Sequence, residues 1–85
     1  MKYHINYHTG AGNQTIEGSI DDAMRIADEC VAYTQERITI EDEKEREVAI
    51  RPWWGVAYDP EETEDSEDEV IQFGTFGHYG AWIIV

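Results

Sequence analysis

The densest concentration of reactive groups in this chain is a run of carboxylates. Between residues 59 and 69 stand Asp59, Glu61, Glu62, Glu64, Asp65, Glu67, Asp68 and Glu69, eight acids with no base among them. Carboxylates in such number can ligate hard cations or face cationic side chains. A dedicated calcium loop spaces its ligands Asp-x-Asp-x-Asp-Gly, with the glycine at a sharp turn, and this run has neither the spacing nor the glycine. Two readings remain: a solvated flexible loop, and a surface for a basic partner.

The other candidates for chemistry are weaker. His4 and His8 fall on one face of an alternating segment, but extended chain holds their backbones about 13 Å apart, too far to share one ion. His78 is remote in sequence, and all three histidines are expected on solvent-facing positions. Cys30 falls on the apolar face of a helical pattern and is expected as a small buried hydrophobe. A nucleophilic thiolate would want an electropositive setting, and this chain supplies the opposite field. Gly10-Ala11-Gly12 has no third glycine of a dinucleotide fingerprint and reads as a hairpin turn. The expectation is therefore no catalytic residue, no metal and no cofactor, in a protein that is not an enzyme.

Nineteen acids against six bases give a net charge of −13, which decides which partners are plausible. Affinity for nucleic acid comes from Lys and Arg displacing counterions from phosphates, so direct nucleic-acid binding is disfavoured. An anionic membrane surface is disfavoured by the same electrostatics. Removing the eight carboxylates of 59–69 from −13 leaves −5 on the other 74 residues. The body is thus moderately acidic, and the segment carries most of the excess. Secondary acidic patches are expected at Asp21, Asp22, Asp28 and Glu29 and along Glu41–Glu47.

Aromatic residues crowd the second half: Trp53, Trp54, Tyr58, Phe73, Phe76, Tyr79 and Trp82. Most must be core, because a small domain has few other large apolar groups to bury. Trp53 and Trp54 point to opposite sides of a strand, which leaves one of them outside. Trp53 is taken as the anchor beside the charged rim, and with the eight acids it completes the expected partner-binding set.

These groups need a scaffold. Eighty-five residues make a single domain, 1–85, with the acidic loop inside it. Tyr3, Ile5 and Tyr7 alternate with polar residues over 2–8, a strand, and residues 14–17 can return beside it. Ser19-Ile20-Asp21-Asp22 is a capping box with Asp in place of the usual Glu. Ile20, Ala23, Met24, Ala27, Cys30, Val31 and Thr34 then recur on one helical face, which predicts a helix over about 20–35. Residues 37–41 and the segment through Val48 and Ile50 read as a hairpin around the polar turn 42–45. Pro52 implies an edge or a bend. Short strands are expected near 53–58 and 70–73. The wholly apolar 81–85 is expected as a closing strand inside the sheet. The fold class is α+β, one amphipathic helix packed on a mostly antiparallel sheet of about five strands.

A single cysteine rules out an internal disulfide, and no apolar leader follows Met1, so a cytoplasmic setting is expected. In size, charge and compact α+β layout the chain resembles the small acidic proteins of phages and mobile elements, among them the anti-CRISPR proteins that block RNA-guided nucleases. The resemblance covers the chain as a whole and implies a target: the basic channel or the motif-reading arginines of a nuclease. The functional expectation is a non-catalytic acidic protein that occupies a basic, nucleic-acid-binding surface of another protein, as an anti-CRISPR-like inhibitor or DNA mimic. The alternative is a protein-interaction module or homodimer in which the acidic loop only confers solubility.

Overall fold

The computed structural model describes residues 1–9, 13–30 and 35–85. Strand β1 (Lys2–Asn6) is flanked by β2 (Asn13–Glu17) and β3 (Ile38–Glu41), and β3 by β4 (Glu47–Arg51). A strand β8 (Ile83–Ile84) joins the outer side of β4, giving a five-stranded sheet in the order β2-β1-β3-β4-β8. All of its pairings are antiparallel. Helix α1 (Ile20–Cys30) packs on β1 and β3. The fold is the α+β arrangement that the alternation and helical periodicity predict.

Antiparallel partners face the same side of a sheet, so the register identifies the core face. Ile5 lies opposite Ile40, Ile40 opposite Ala49, and Ile38 opposite Arg51. Ile5, Ile38, Ile40 and Ala49 are fully buried, as are Ala23 and Ala27 of α1. Two alanines at i, i+4 let the helix approach the sheet closely.

The start of α1 is decided locally. Asp22 N–H donates to Ser19 Oγ at 3.1 Å, and Ser19 N–H donates to Asp22 Oδ2 at 3.0 Å. The shorter Asp side chain thus closes the capping box in both directions. These bonds hold the Asp22 carboxyl below its usual range. Because the folded pKa is the lower one, this contribution is present above the ordinary Asp value of about 3.9 and is lost as pH falls through the lowered one. Replacing Ser19 with alanine is expected to cost about 1 kcal/mol near neutral pH, read from the urea unfolding midpoint.

The expected helix end at 31–34 and the glycine turn at 10–12 lie outside the described residues. Gln35, included in the expected helix, instead has φ 52° and is not helical. Cys30 is exposed rather than buried. It is the last described residue of α1, at the flank of the stripe centred on Ala23 and Ala27, where its thiol contacts the Tyr7 hydroxyl.

A second, smaller sheet grows out of the first at Pro52. After β4 the chain passes through Pro52 into β5 (Trp53–Trp54); it later returns through β6 (Ile71–Gln72) and β7 (His78–Tyr79). The order is β5-β7-β6, all antiparallel. Gly80 N–H donates to the Pro52 carbonyl at 2.9 Å, so the two sheets are stitched where the chain crosses between them. Proline has no N–H to continue a ladder, which explains the break at this position.

The expectation that 81–85 lies inside the sheet is corrected. Among the described residues β8 pairs only with β4, and Ile83, Ile84 and Val85 are 53%, 60% and 72% exposed. An all-apolar run argues for burial but does not say which neighbours supply it. Among the described residues no helix is long and apolar enough to cross a membrane.

Candidate protein-binding groove

The acidic segment is tethered to the second sheet. Tyr58 Oη donates to the Asp65 carbonyl at 2.8 Å, and Ala81 N–H donates to Asp65 Oδ2 at 3.0 Å. Asp65 N–H reaches Thr63 Oγ1 at 3.2 Å, and Glu61 N–H reaches Asp59 Oδ1 at 2.9 Å. A 3₁₀ turn, Glu67–Glu69, closes the segment, with Ser66 Oγ donating to Glu69 Oε1 at 2.9 Å. The sequence offers no apolar anchor here, but the structure uses polar ones. Asp65 is thereby removed from the set of outward acids. It turns inward as a backbone acceptor, while Asp59, Glu61, Glu62, Glu64, Glu67, Asp68 and Glu69 remain exposed.

Those seven carboxylates are electrostatically unbalanced. Among the described residues no Lys or Arg nitrogen lies within ion-pairing distance of any of them. The Tyr58 phenol in their midst is pushed up, by desolvation first and then by Glu67, Asp65, Asp59 and Glu69. The secondary patches are partly balanced, although Asp21, Glu41, Glu43, Glu45 and Glu47 also have no ion pair among the described residues. Arg25 pairs with Asp22 and Glu29, Arg46 pairs with Asp42, and Asp28 faces Arg51.

The segment rims a groove of about 650 Å³. Trp54, Val56, Ala57, Ala81, Trp82 and Ile83 supply its apolar lining, and Asp59, Glu62, Glu64 and Glu69 its acidic edge. Trp54 is 51% exposed, whereas Trp53 is half-buried in an aromatic cluster with Phe73 and Tyr79 at centroid distances of 5.8 and 4.9 Å. The exposed indole beside the rim is therefore Trp54, not the Trp53 that the sequence singles out. A signal for this exists: Ala49, Arg51 and Trp53 share parity, and Trp53 follows the buried members of β4 inward. It is obscured because Val48 and Ile50 carry the more apolar side chains of that strand.

Trp54 is held by the backbone at Gly80. A Cβ built there would fall 2.9 Å from Trp54 Nε1, 3.1 Å from Asp65 Oδ2 and 3.1 Å from Pro52 Cγ. A side chain there would push the indole edge and the inward carboxylate away from the sheet crossing.

Beneath the groove, Arg51 is buried. Its Nε lies 3.5 Å from Asp28 Oδ1 and its guanidinium 5.6 Å from the Trp82 ring centroid; Trp82 Nε1 donates to Asp28 Oδ1 at 3.0 Å. Burial pushes the Asp28 carboxyl up, against the opposing effects of Arg51 and Trp82. This cluster joins α1, β4 and the C-terminal segment, and nothing in its spacing along the chain announces it.

The histidines are not all on the solvent face. His78 is 4% exposed, its Nδ1 donating to the Val56 carbonyl at 2.7 Å and its ring edge-on to Tyr58. His8 Nε2 lies 2.8 Å from Thr39 Oγ1, and His4 Nδ1 3.2 Å from Thr15 Oγ1. Burial, then Arg37, pulls the His8 pKa down. Among the described residues no three His, Cys, Asp or Glu side chains come together to hold a metal ion. Comparison with protein-family models, curated proteins and solved structures finds no match to this chain.

Proposed function

We propose that this chain is a non-catalytic acidic binding protein whose 59–69 segment occupies a basic surface of another protein, one that otherwise holds nucleic acid. The observation that carries this reading is the set of seven exposed carboxylates with no cationic partner among the described residues, tethered at Tyr58, Asp65 and Ala81. Carboxylates accept charge-assisted hydrogen bonds from Arg and Lys as phosphate oxygens do. A tethered segment has less conformational freedom to lose on binding than a free one. The overall resemblance to anti-CRISPR proteins supports an RNA-guided nuclease as one such target. A single cysteine supports a reducing, cytoplasmic setting.

The test neutralises Glu61, Glu62, Glu64, Glu67 and Asp68 to Gln or Asn, sparing Asp59, Asp65 and Glu69, whose carboxylates accept hydrogen bonds from Glu61, Ala81 and Ser66. The immobilised wild type is expected to retain a basic, nucleic-acid-binding protein at low salt and to release it to added duplex DNA. Each exposed ion pair contributes about 0.2–1 kcal/mol, so losing five should weaken binding roughly tenfold or more. Undiminished capture by the neutralised protein at low salt sinks the reading.

A second reading rests on β8, whose outer edge and exposed Ile83, Ile84 and Val85 could pair with another copy. It expects a dimer by sedimentation that the neutralised loop leaves unchanged.

A further inference from the structure

Resting on that reading, we infer that the groove between Trp54 and Ile83 is the docking site for a short cationic segment of the partner, with arginines flanking at least one apolar side chain. The floor and the rim make separate demands. Trp54, Val56 and Ile83 are 51%, 65% and 53% exposed, an apolar surface whose burial is favourable. Asp59, Glu62, Glu64 and Glu69 stand at its edge, and a purely apolar occupant would desolvate them without compensation. A nucleic acid would be repelled by them. A second copy of this chain would bring its own charge of −13 against the same rim.

The occupant that satisfies both demands is positively charged around an apolar tip. The volume of about 650 Å³ falls within the roughly 300–1,000 Å³ of ligand-sized sites, which suits a few side chains of an extended segment. Arginine fits better than lysine. The indole edge of Trp54 is seated at Gly80 while the side chain stays half exposed, and a planar guanidinium stacks on an aromatic face while reaching a carboxylate in its own plane. The same combination already exists within the fold, where Arg51 lies over Trp82 beside Asp28.

The probe is a blocked peptide of sequence Arg-Arg-Leu-Arg-Arg-Leu, titrated by calorimetry at low salt. Wild type should bind it. Trp54→Ser and, separately, Ile83→Ser should each weaken binding at least about tenfold, as should glycine in place of both peptide leucines. Ile83 is an exposed edge residue, so that variant keeps the test valid if Trp54→Ser unfolds. Binding lost on loop neutralisation but unmoved by either groove variant overturns the groove site while leaving the acidic-decoy reading intact. No peptide binding alongside DNA-releasable capture of a basic protein likewise overturns the groove site alone. Equal binding of an uncharged leucine-serine peptide overturns the cationic occupant. Concentration-dependent dimerisation abolished by Ile83→Ser, with no peptide bound, assigns the groove to a second copy and also overturns it.

Discussion

Replacing Gly77 with alanine is expected to destabilise the fold by about 2–6 kcal/mol, the largest effect of an alanine at any of the described glycines. Gly77 has φ 145° and ψ −165°, a region that residues with a Cβ enter only at a cost of about 1–3 kcal/mol. It is also buried against both tryptophans of β5. A Cβ there would overlap the Trp54 carbonyl oxygen and fall 2.6 Å from Trp53 Cζ2. Overpacking of this kind adds about 1–3 kcal/mol. A domain of this size has a total stability of about 4–13 kcal/mol, so the variant should unfold at markedly lower urea and lose near-ultraviolet circular dichroism. Gly80→Ala makes the contrast. Its Cβ would meet the Trp54 indole, the Asp65 carboxylate and the Pro52 ring at 2.9–3.1 Å, with no backbone atom as close as at Gly77. A smaller loss of stability is expected there, with a proportionally larger loss of groove binding. Equal destabilisation by the two substitutions would show that the Gly77 backbone conformation is not the dominant constraint.

Asp28→Asn is expected to cost about 2–3 kcal/mol, and Arg51→Met about 1 kcal/mol or less, although both break the same ion pair. The asymmetry comes from which partner is left behind. The Arg51 side chain is 5% exposed and its Nε has no hydrogen-bond partner among the described residues. Arginine cannot shed its proton at any ordinary pH, so removing Asp28 strands a desolvated cation. Breaking a fully buried pair in this way costs about 3–5 kcal/mol, and the 38% exposure of the Asp28 side chain reduces the figure. Removing Arg51 instead leaves a carboxylate that reaches water and whose pKa is already pushed up, so it can also take up a proton. The sign of the pH dependence follows. With its folded pKa above the unfolded value, Asp28 contributes stability that is fully present below the unfolded pKa and is lost as pH rises through the folded one. Arg51→Met should enlarge that loss, and Asp28→Asn should abolish it. Urea titrations of wild type and both variants between mildly acidic and neutral pH check the order. A larger loss for Arg51→Met would mean that packing of the guanidinium on Trp82, rather than its charge, holds the cluster together.

Both predictions concern contacts between residues far apart in the chain. Gly77 meets Trp53 and Trp54, and Asp28 meets Arg51 and Trp82. Neither is visible in a window of sequence. The alternation in β4 even points the wrong way. Val48 and Ile50 look like its core face, yet Ala49 and Arg51 are the buried residues, because Ala49 lies opposite Ile40 and Arg51 opposite Ile38 beneath α1. That parity carries through Pro52, turning Trp53 inward and Trp54 outward.

What depends on neighbours within a few residues is legible in the order of the amino acids alone. Ser19 and Asp22 start α1, alternation makes β1 and β3, Asp42 to Glu45 turn the hairpin, and Pro52 breaks the ladder. The electrostatic character is legible too, since charge is carried by composition whatever the fold. Which charges are available is a matter of how distant segments close on one another. Folding draws Asp28 and Asp65 inward, pairs Asp22, Glu29 and Asp42 with arginines, and leaves the other acids of 59–69 without an ion pair among the described residues, around an exposed tryptophan. The physical reason is that local conformation follows from short-range sterics and hydrogen bonds, whereas burial and ion pairing depend on which remote segments the closed chain brings together.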